Sequence, residues 1–203
     1  MSVNQLPGDN LSDKILITNV LNGSPSAFGQ IIHHTEGLVT QILFKMIPNA
    51  EDRKDIAQDV YLKAFHSLGG FKFQSRLSTW IARIAYNACL SWLEKKKLVF
   101  PGDEDVLSER GPEAGNVLTI DTSHGEWKSI FLQKELAIIL QLEINKLSPV
   151  YRTLITLYHQ EDLSYDEIGQ ITGLPDGTVK NYLFRARKKL KESLLAQYKK
   201  EEL

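Results

Sequence analysis

Apolar residues recur along this chain at intervals of three and four, the spacing of amphipathic helices rather than of strands. Residues 1 to 11 are polar around Pro7-Gly8-Asp9-Asn10 and are expected to fray. Ser12 is placed to cap a short helix reaching about Leu21, with Ile15, Leu16 and Val20 on its apolar face, and Asn22-Gly23-Ser24-Pro25 ends it. From Ser26 to Met46, the residues Phe28, Ile31, Ile32, Leu38, Val39, Ile42, Leu43 and Met46 keep one helical period, which predicts a long core-forming helix that Pro48-Asn49 stops. The next helix, about Ala50 to Leu68, opens on Glu51 and Asp52, which suit the positive end of the helix dipole. Ile56, Val60, Ala64 and Phe65 point to its core side, while Asp55, Gln58, Asp59, Leu62, Lys63 and His66 remain outside. Leu62 is the odd member of that polar face, either an isolated exposed apolar group or an anchor for a partner.

Gly69-Gly70 leads into a loop, Phe71-Lys72-Phe73-Gln74-Ser75-Arg76-Leu77, and then into a helix from Ser78 to about Lys97 whose inner stripe is Ile81, Ile84, Ala85, Ala88 and Trp92. Residues 98–125 change character: Pro101-Gly102, Asp103-Glu104-Asp105, Gly111-Pro112 and Gly115-Asn116 carry little helical period, which reads as a flexible acidic linker. Such a stretch is too long for an ordinary loop inside one compact domain. Beyond it, Trp127 to Leu147 is an apolar-rich helix, and Ser148-Pro149 offers a cap and a first-turn proline for a helix to about Tyr158 with Val150, Leu154, Ile155 and Leu157. The predicted fold is all-α, with helical domains over 12–97 and 126–203 joined by the linker.

The strongest local signal is LSYDEIGQITGLPDGTVKNYLFRARKKLK, from Leu163 to Lys191. Ser164 and Glu167 form a capping box, so a helix starts there. Ile168 and Ile171 share one face, and Gly169 beside them lets a crossing helix approach. Gly173 can take positive φ, Pro175 cannot continue the helix, and Asp176 can cap a second one. In that second helix Val179, Leu183, Ala186 and Leu190 face inward; Thr178, Lys180, Asn181, Tyr182, Arg185, Arg187, Lys188, Lys189 and Lys191 face outward. Two helices, a glycine turn and a basic outer face define a helix-turn-helix that reads duplex DNA. Thr178, Lys180, Asn181 and Tyr182 are placed for bases or nearby phosphates, and Arg185, Arg187 and Lys188 mainly for backbone.

The formal net charge of −1 over 203 residues hides this, because acids elsewhere offset the basic helix. A single cysteine, Cys89, rules out an internal disulfide framework and a cysteine-based zinc site and fits a reducing cytoplasm. No basic-then-apolar leader and no run of about 20 apolar residues is present, so no membrane insertion is expected. Phe71, Phe73 and Trp80 beside Lys72 and Arg76 supply what single-stranded nucleic acid needs, rings for bases and cations for phosphates, although Phe71 and Trp80 could equally be core. An enzyme is disfavoured and no cofactor is expected. His33, His34 and Glu36, or His159 with Glu161 and Asp162, are the best raw material for a metal, but adjacent helical histidines diverge by about 100° and no third set has ligand spacing. A two-domain activator that binds duplex DNA on its own would need no aromatic loop.

Taken together, DRKDIAQDVYLKAF (52–65), STWIARIAYN (78–87) and the stretch from Leu147 to Leu190 resemble a group 4 bacterial sigma factor, the extracytoplasmic-function type of the sigma-70 family, over about residues 27–195. The resemblance implies roles that spacing does not. The segment Asp55 to Leu68 matches the face that docks on the clamp helices of the largest subunit of core RNA polymerase, which gives Asp55, Gln58, Asp59, Leu62, Lys63 and His66 a partner. Phe71 to Leu77 matches the loop that captures an unstacked base of the minus-ten element, with Trp80, Arg83, Asn87 and Lys95 to Lys97 as neighbouring contacts. The helix-turn-helix matches the minus-thirty-five reader, which also meets the flap region. The linker matches a segment running toward the RNA exit path, and an anti-sigma factor is implied as a further partner. Tyr182 stands where the family often has a basic residue, Ser91 where it has Asp, and Glu94 where it has a base; with Gln74 and Ser75 these leave the promoter sequence open.

Overall fold

The computed structural model describes residues 7–96 and 128–201, with side-chain surroundings for 11–96 and 136–196. The linker prediction over 98–125, Lys97 and Trp127 lie outside the described residues. The described chain forms α1 (Pro7–Leu21), α2 (Pro25–Met46), α3 (Ala50–Ser67), a 3-10 turn at Leu68–Gly70, α4 (Leu77–Lys96), α5 (Lys128–Lys146), α6 (Pro149–His159), α7 (Tyr165–Thr172) and α8 (Asp176–Glu201).

The first helix starts at Pro7 rather than at Ser12. Proline lacks only an N–H that the first turn would leave unpaired, so Pro7-Gly8-Asp9 begins the helix instead of fraying. Asn49 stops one helix and starts another: its Oδ1 accepts the Glu51 N–H at 2.8 Å, while Arg53 Nη1 donates to the carbonyls of Ile47 and Pro48, each at 2.9 Å. The guanidinium lies 4.1 Å from the Phe44 ring centre. Ile31, Val39, Ile42 and Met46 of α2 meet Ile56, Val60 and Ala64 of α3 and Ile81 and Ala85 of α4 in the first part of the core. Thr35, buried in that core, donates to the Ile31 carbonyl at 2.8 Å and sits 3.1 Å from the Tyr61 hydroxyl. The inner stripe of α4 is wider than its periodicity suggests. Thr79, Ala82, Tyr86 and Cys89 are buried as well as Ile81 and Ala85, because α2, α3 and α7 all pack on this one helix.

In the C-terminal unit, Leu154 and Leu157 of α6, Ile168 and Ile171 of α7 and Val179, Leu183, Ala186 and Leu190 of α8 close the second part of the core. Ser148 precedes Pro149 as expected, but its hydroxyl makes no capping bond and is buried without a partner among the described residues. The two parts are continuous. α4 packs against α7, α2 against α6, and Arg76 Nη1 lies 3.6 Å from Glu167 Oε1 across the junction. Lys45 of α2 and Arg152 of α6 also meet there. Burial and then the Arg152 charge push the Lys45 pKa down, burial lowers that of Arg152, and Arg152 Nε finds no acceptor among the described residues.

α5 is tied to α8 by Glu143, only 2% exposed, whose carboxylate accepts from Lys146 and from the Ser193 hydroxyl. The Lys146 and then the Ser193 hydrogen bonds hold its pKa below the ordinary value, against burial. A depressed carboxyl pKa stabilises the fold fully above the unfolded value of about 4.3, and that contribution is lost as pH falls through the lower folded value. Denaturant unfolding should therefore show wild type and Glu143→Gln well apart at neutral pH and converging in acid; a gap constant with pH would refute this.

Candidate nucleic-acid interface

Three surfaces carry the predicted site residues. On α3, Asp55, Gln58, Asp59, Leu62, Lys63 and His66 are all exposed, Leu62 at 58%. They lie opposite the buried row Ile56, Val60 and Ala64. Phe65 is a correction: expected in the core, it is 46% exposed and rests edge-on against Phe28 at 5.1 Å. Ala64 and Leu68 already fill the interior position, and the next residue around the helix is turned to the rim.

The loop between the 3-10 turn and α4 is built on aromatic packing. Phe71 is buried, with ring centres 4.8 Å from Phe73 and 5.2 Å from Trp80. Its ring is thus a floor for the loop rather than a free stacking surface. Phe73 adopts φ +55°, a left-handed conformation that a side chain disfavours, and Lys14 Nζ sits 5.6 Å from its ring centre. Backbone strain of this kind persists where surrounding contacts hold it, which here are the Phe71 ring and α1. A cleft of about 520 Å³ opens between α1 and these two phenylalanines. Lys72, Gln74 and Arg76 are exposed, Ser75 and Trp80 half-buried, and Arg83, Asn87, Lys95 and Lys96 exposed on α4.

The helix-turn-helix forms as the local chemistry requires. Glu167 N–H donates to Ser164 Oγ at 3.2 Å and Ser164 N–H to Glu167 Oε2 at 2.9 Å, the reciprocal capping box. Gly173 takes φ +76° and donates its N–H to the Gly169 carbonyl at 2.8 Å, after which Asp176 begins α8. Lys180 and Lys188 are exposed; Thr178, Asn181, Arg185 and Arg187 are half-buried. Tyr182 is a second correction. Only 7% exposed, it packs edge-on against Tyr151 at 5.8 Å and belongs to the interface of α8 with α6, not to the outer face. Burial pushes its phenol pKa up, with the Arg185 charge opposing. Sequence reasoning missed Phe184, 36% exposed among those outer positions, and a side-chain stack of Tyr158, Tyr165 and His159 beside Arg187. The only signal for the stack was the proximity of two tyrosines and a histidine to the turn.

Among the described residues the chain is helical, with a helix-turn-helix in one part and an aromatic-basic loop in the other, the arrangement of a DNA-binding regulator. The Sigma-70 region 2 model matches residues 31–99 and the Sigma-70, region 4 model residues 137–190. The ECF RNA polymerase sigma factor SigW of Bacillus subtilis (strain 168) is 32% identical over 178 residues, 88% of this chain and 94% of that protein. The ECF RNA polymerase sigma-E factor of Escherichia coli (strain K12) is 31% identical over 180 residues, 88% and 92% respectively. This chain belongs to the ECF family of RNA polymerase sigma factors. In fold it is similar to CnrH, solved in complex with the cytosolic domain of CnrY, with TM-score 0.58 and 22% identity over 91% of this chain and 98% of that one. It is likewise similar to the sigma factor RpoE, solved with the anti-sigma factor NepR from Bartonella quintana, with TM-score 0.55 and 22% identity over 82% and 96%. Among the described residues, no helix is long and apolar enough to cross a membrane.

Proposed function

We infer that this chain is a promoter-specificity subunit: it binds core RNA polymerase, directs it to promoters carrying two spaced elements, and traps the opened strand at one of them. It performs no chemistry of its own and works in the cytoplasm. The observation that carries this reading is the outer face of α3, where Leu62 stands exposed among Asp55, Gln58, Asp59, Lys63 and His66 on a helix whose opposite face is core. A duplex-binding activator that touches polymerase would have no need of the aromatic loop beside it. Residues 12–97 form the unit that docks on polymerase and reads the minus-ten element; residues 126–203 form the minus-thirty-five reader, which also meets the flap. Phe73, Lys72, Gln74, Ser75 and Arg76, supported by Phe71 and Trp80, hold an extruded base, and Arg83 and Asn87 contact its neighbours. Thr178, Lys180 and Asn181 face the second element, with Arg185, Arg187 and Lys188 toward phosphates. An anti-sigma factor covers the α3 face until it is needed, a reading supported by the similar sigma factor RpoE having been solved with the anti-sigma factor NepR.

The test is run-off transcription by bacterial core polymerase, with and without this chain, on a pool of genomic promoter fragments. Discrete starts that share two spaced upstream elements and depend on the chain support the reading. Duplex binding with starts that still require another sigma factor would replace it by an activator.

A further inference from the structure

Arg187 leaves α8 on the side of α6. Its Nε–H donates to His159 Nε2 at 3.2 Å, Nη2 lies 3.2 Å from the same nitrogen, and the guanidinium carbon is 5.1 Å from the Tyr158 ring centre. Tyr158 in turn stacks on Tyr165, ring centres 5.0 Å apart and nearly parallel, and Lys180 Nζ lies 5.3 Å from the Tyr165 ring. Two cations of the recognition helix are thereby held against two stacked rings and a histidine of the preceding helices.

Only one member of this group can change charge near neutrality. Of the residue types present, imidazole alone ordinarily exchanges its proton in that range. An imidazole nitrogen that accepts from a guanidinium must keep its lone pair, so His159 is neutral here with its proton on Nδ1. Burial and then the Arg187 charge lower its pKa, with Asp162 opposing. Among the described residues, the charged or titratable groups that act on it are Arg187 from α8, Asp162 from the turn and Tyr158 from α6, with Tyr165 of α7 stacked on Tyr158 and interacting with Arg187.

We propose that His159 is a positioning residue for DNA binding: as neutral imidazole it keeps Arg187 docked on α6, and on protonation it releases Arg187 to the phosphate backbone. The proposal rests on the DNA-reading role of α8. Imidazolium cannot accept from Arg187 and repels it, so acid both breaks the bond and frees a cation on the recognition helix. In neutral solution Arg187 is then a reserve contact rather than a full one.

Two measurements on the full chain test this. The first follows the Arg187 Nε–H resonance, assigned by its loss in Arg187→Gln, as pH falls: it should be protected while His159 is neutral and exchange rapidly once His159 titrates. His159→Gln, whose amide oxygen accepts without titrating, should keep it protected throughout. The second measures affinity for a mixed-sequence duplex against salt at neutral and mildly acid pH. Each added phosphate contact steepens the salt dependence of log K by about 0.9. Relative to His159→Gln, which carries the contribution of the other histidines, the gain of wild type in acid should exceed that of Arg187→Gln by about one contact. Equal gains in wild type and Arg187→Gln, or an Arg187 resonance indifferent to His159, would overturn the proposal. Protection that follows His159 without duplex binding at any pH would instead count against the DNA role of α8.

Discussion

Leu62→Glu is expected to abolish polymerase-dependent starts while leaving the unfolding midpoint within experimental scatter of wild type. The side chain is 58% exposed and has no place in the core, so the folded chain loses little, within about 0.5 kcal/mol for a surface site of this kind. In the proposed complex with polymerase the same position is a small apolar anchor ringed by Asp55, Gln58, Asp59 and Lys63. Burying a carboxylate there, beside Asp59 and without a partner, costs the complex well over the ~2 kcal/mol that marks a hot spot, at least a thirtyfold loss of affinity. Binding of labelled core and run-off yield should fall together, with duplex affinity unchanged. A Leu62→Glu chain that still supports starts at wild-type concentrations would remove α3 from the docking surface.

Gly169→Ala should separate the helix-turn-helix from the rest of the molecule. A Cβ on Gly169 would sit 2.8 Å from the Leu174 carbonyl oxygen and 3.4 Å from Asp176 Oδ1. The first contact is with backbone in the turn between α7 and α8, which cannot swing aside as a long side chain can. Either the turn widens or α8 shifts, at about 1–3 kcal/mol, the usual cost of overpacking. The outer face of α8 moves with it, so duplex binding should weaken more than stability alone requires, while binding to core polymerase through α3 persists. Thermal unfolding and fluorescence anisotropy on the same preparation check both halves; a wild-type midpoint would show that the turn relaxes freely.

What could be read from the residues was whatever depends on near neighbours. The capping box at Ser164, the left-handed Gly173 and the inward row of Val179, Leu183, Ala186 and Leu190 are all set by contacts within a turn or two, and each is found where expected. Tyr182 and Phe65 were misplaced for a shared reason. Each lies at the edge of a helical stripe, where period alone leaves a large ring free to go either way, and the partner across the gap decides. Tyr182 meets Tyr151, thirty-one positions earlier, and is drawn in; Phe65 finds its inner position taken by Ala64 and Leu68 and is left at the rim. The broad buried face of α4 was invisible because part of its covering comes from α7, across the linker. His159 was weighed as a metal ligand, and its actual partner, Arg187, lies on another helix.

The contact of α4 with α7 has a metric consequence. Elements at minus ten and minus thirty-five are about 25 base pairs apart, or about 85 Å along the helix at 3.4 Å each. A compact body the size of the described residues, 7–96 and 128–201, has a radius of gyration of about 15 Å. On the proposed assignment of the two readers, their contact, with Arg76 of one leaning on Glu167 of the other, makes the chain a ruler folded shut: it would measure neither the interval nor both marks together. The junction is also poorly suited to permanence, since it sets Lys45 against Arg152 and leaves Arg152 Nε without an acceptor among the described residues. If the proposed function holds, spacing discrimination between promoters belongs to the assembled enzyme, which would hold the ruler open at one fixed length.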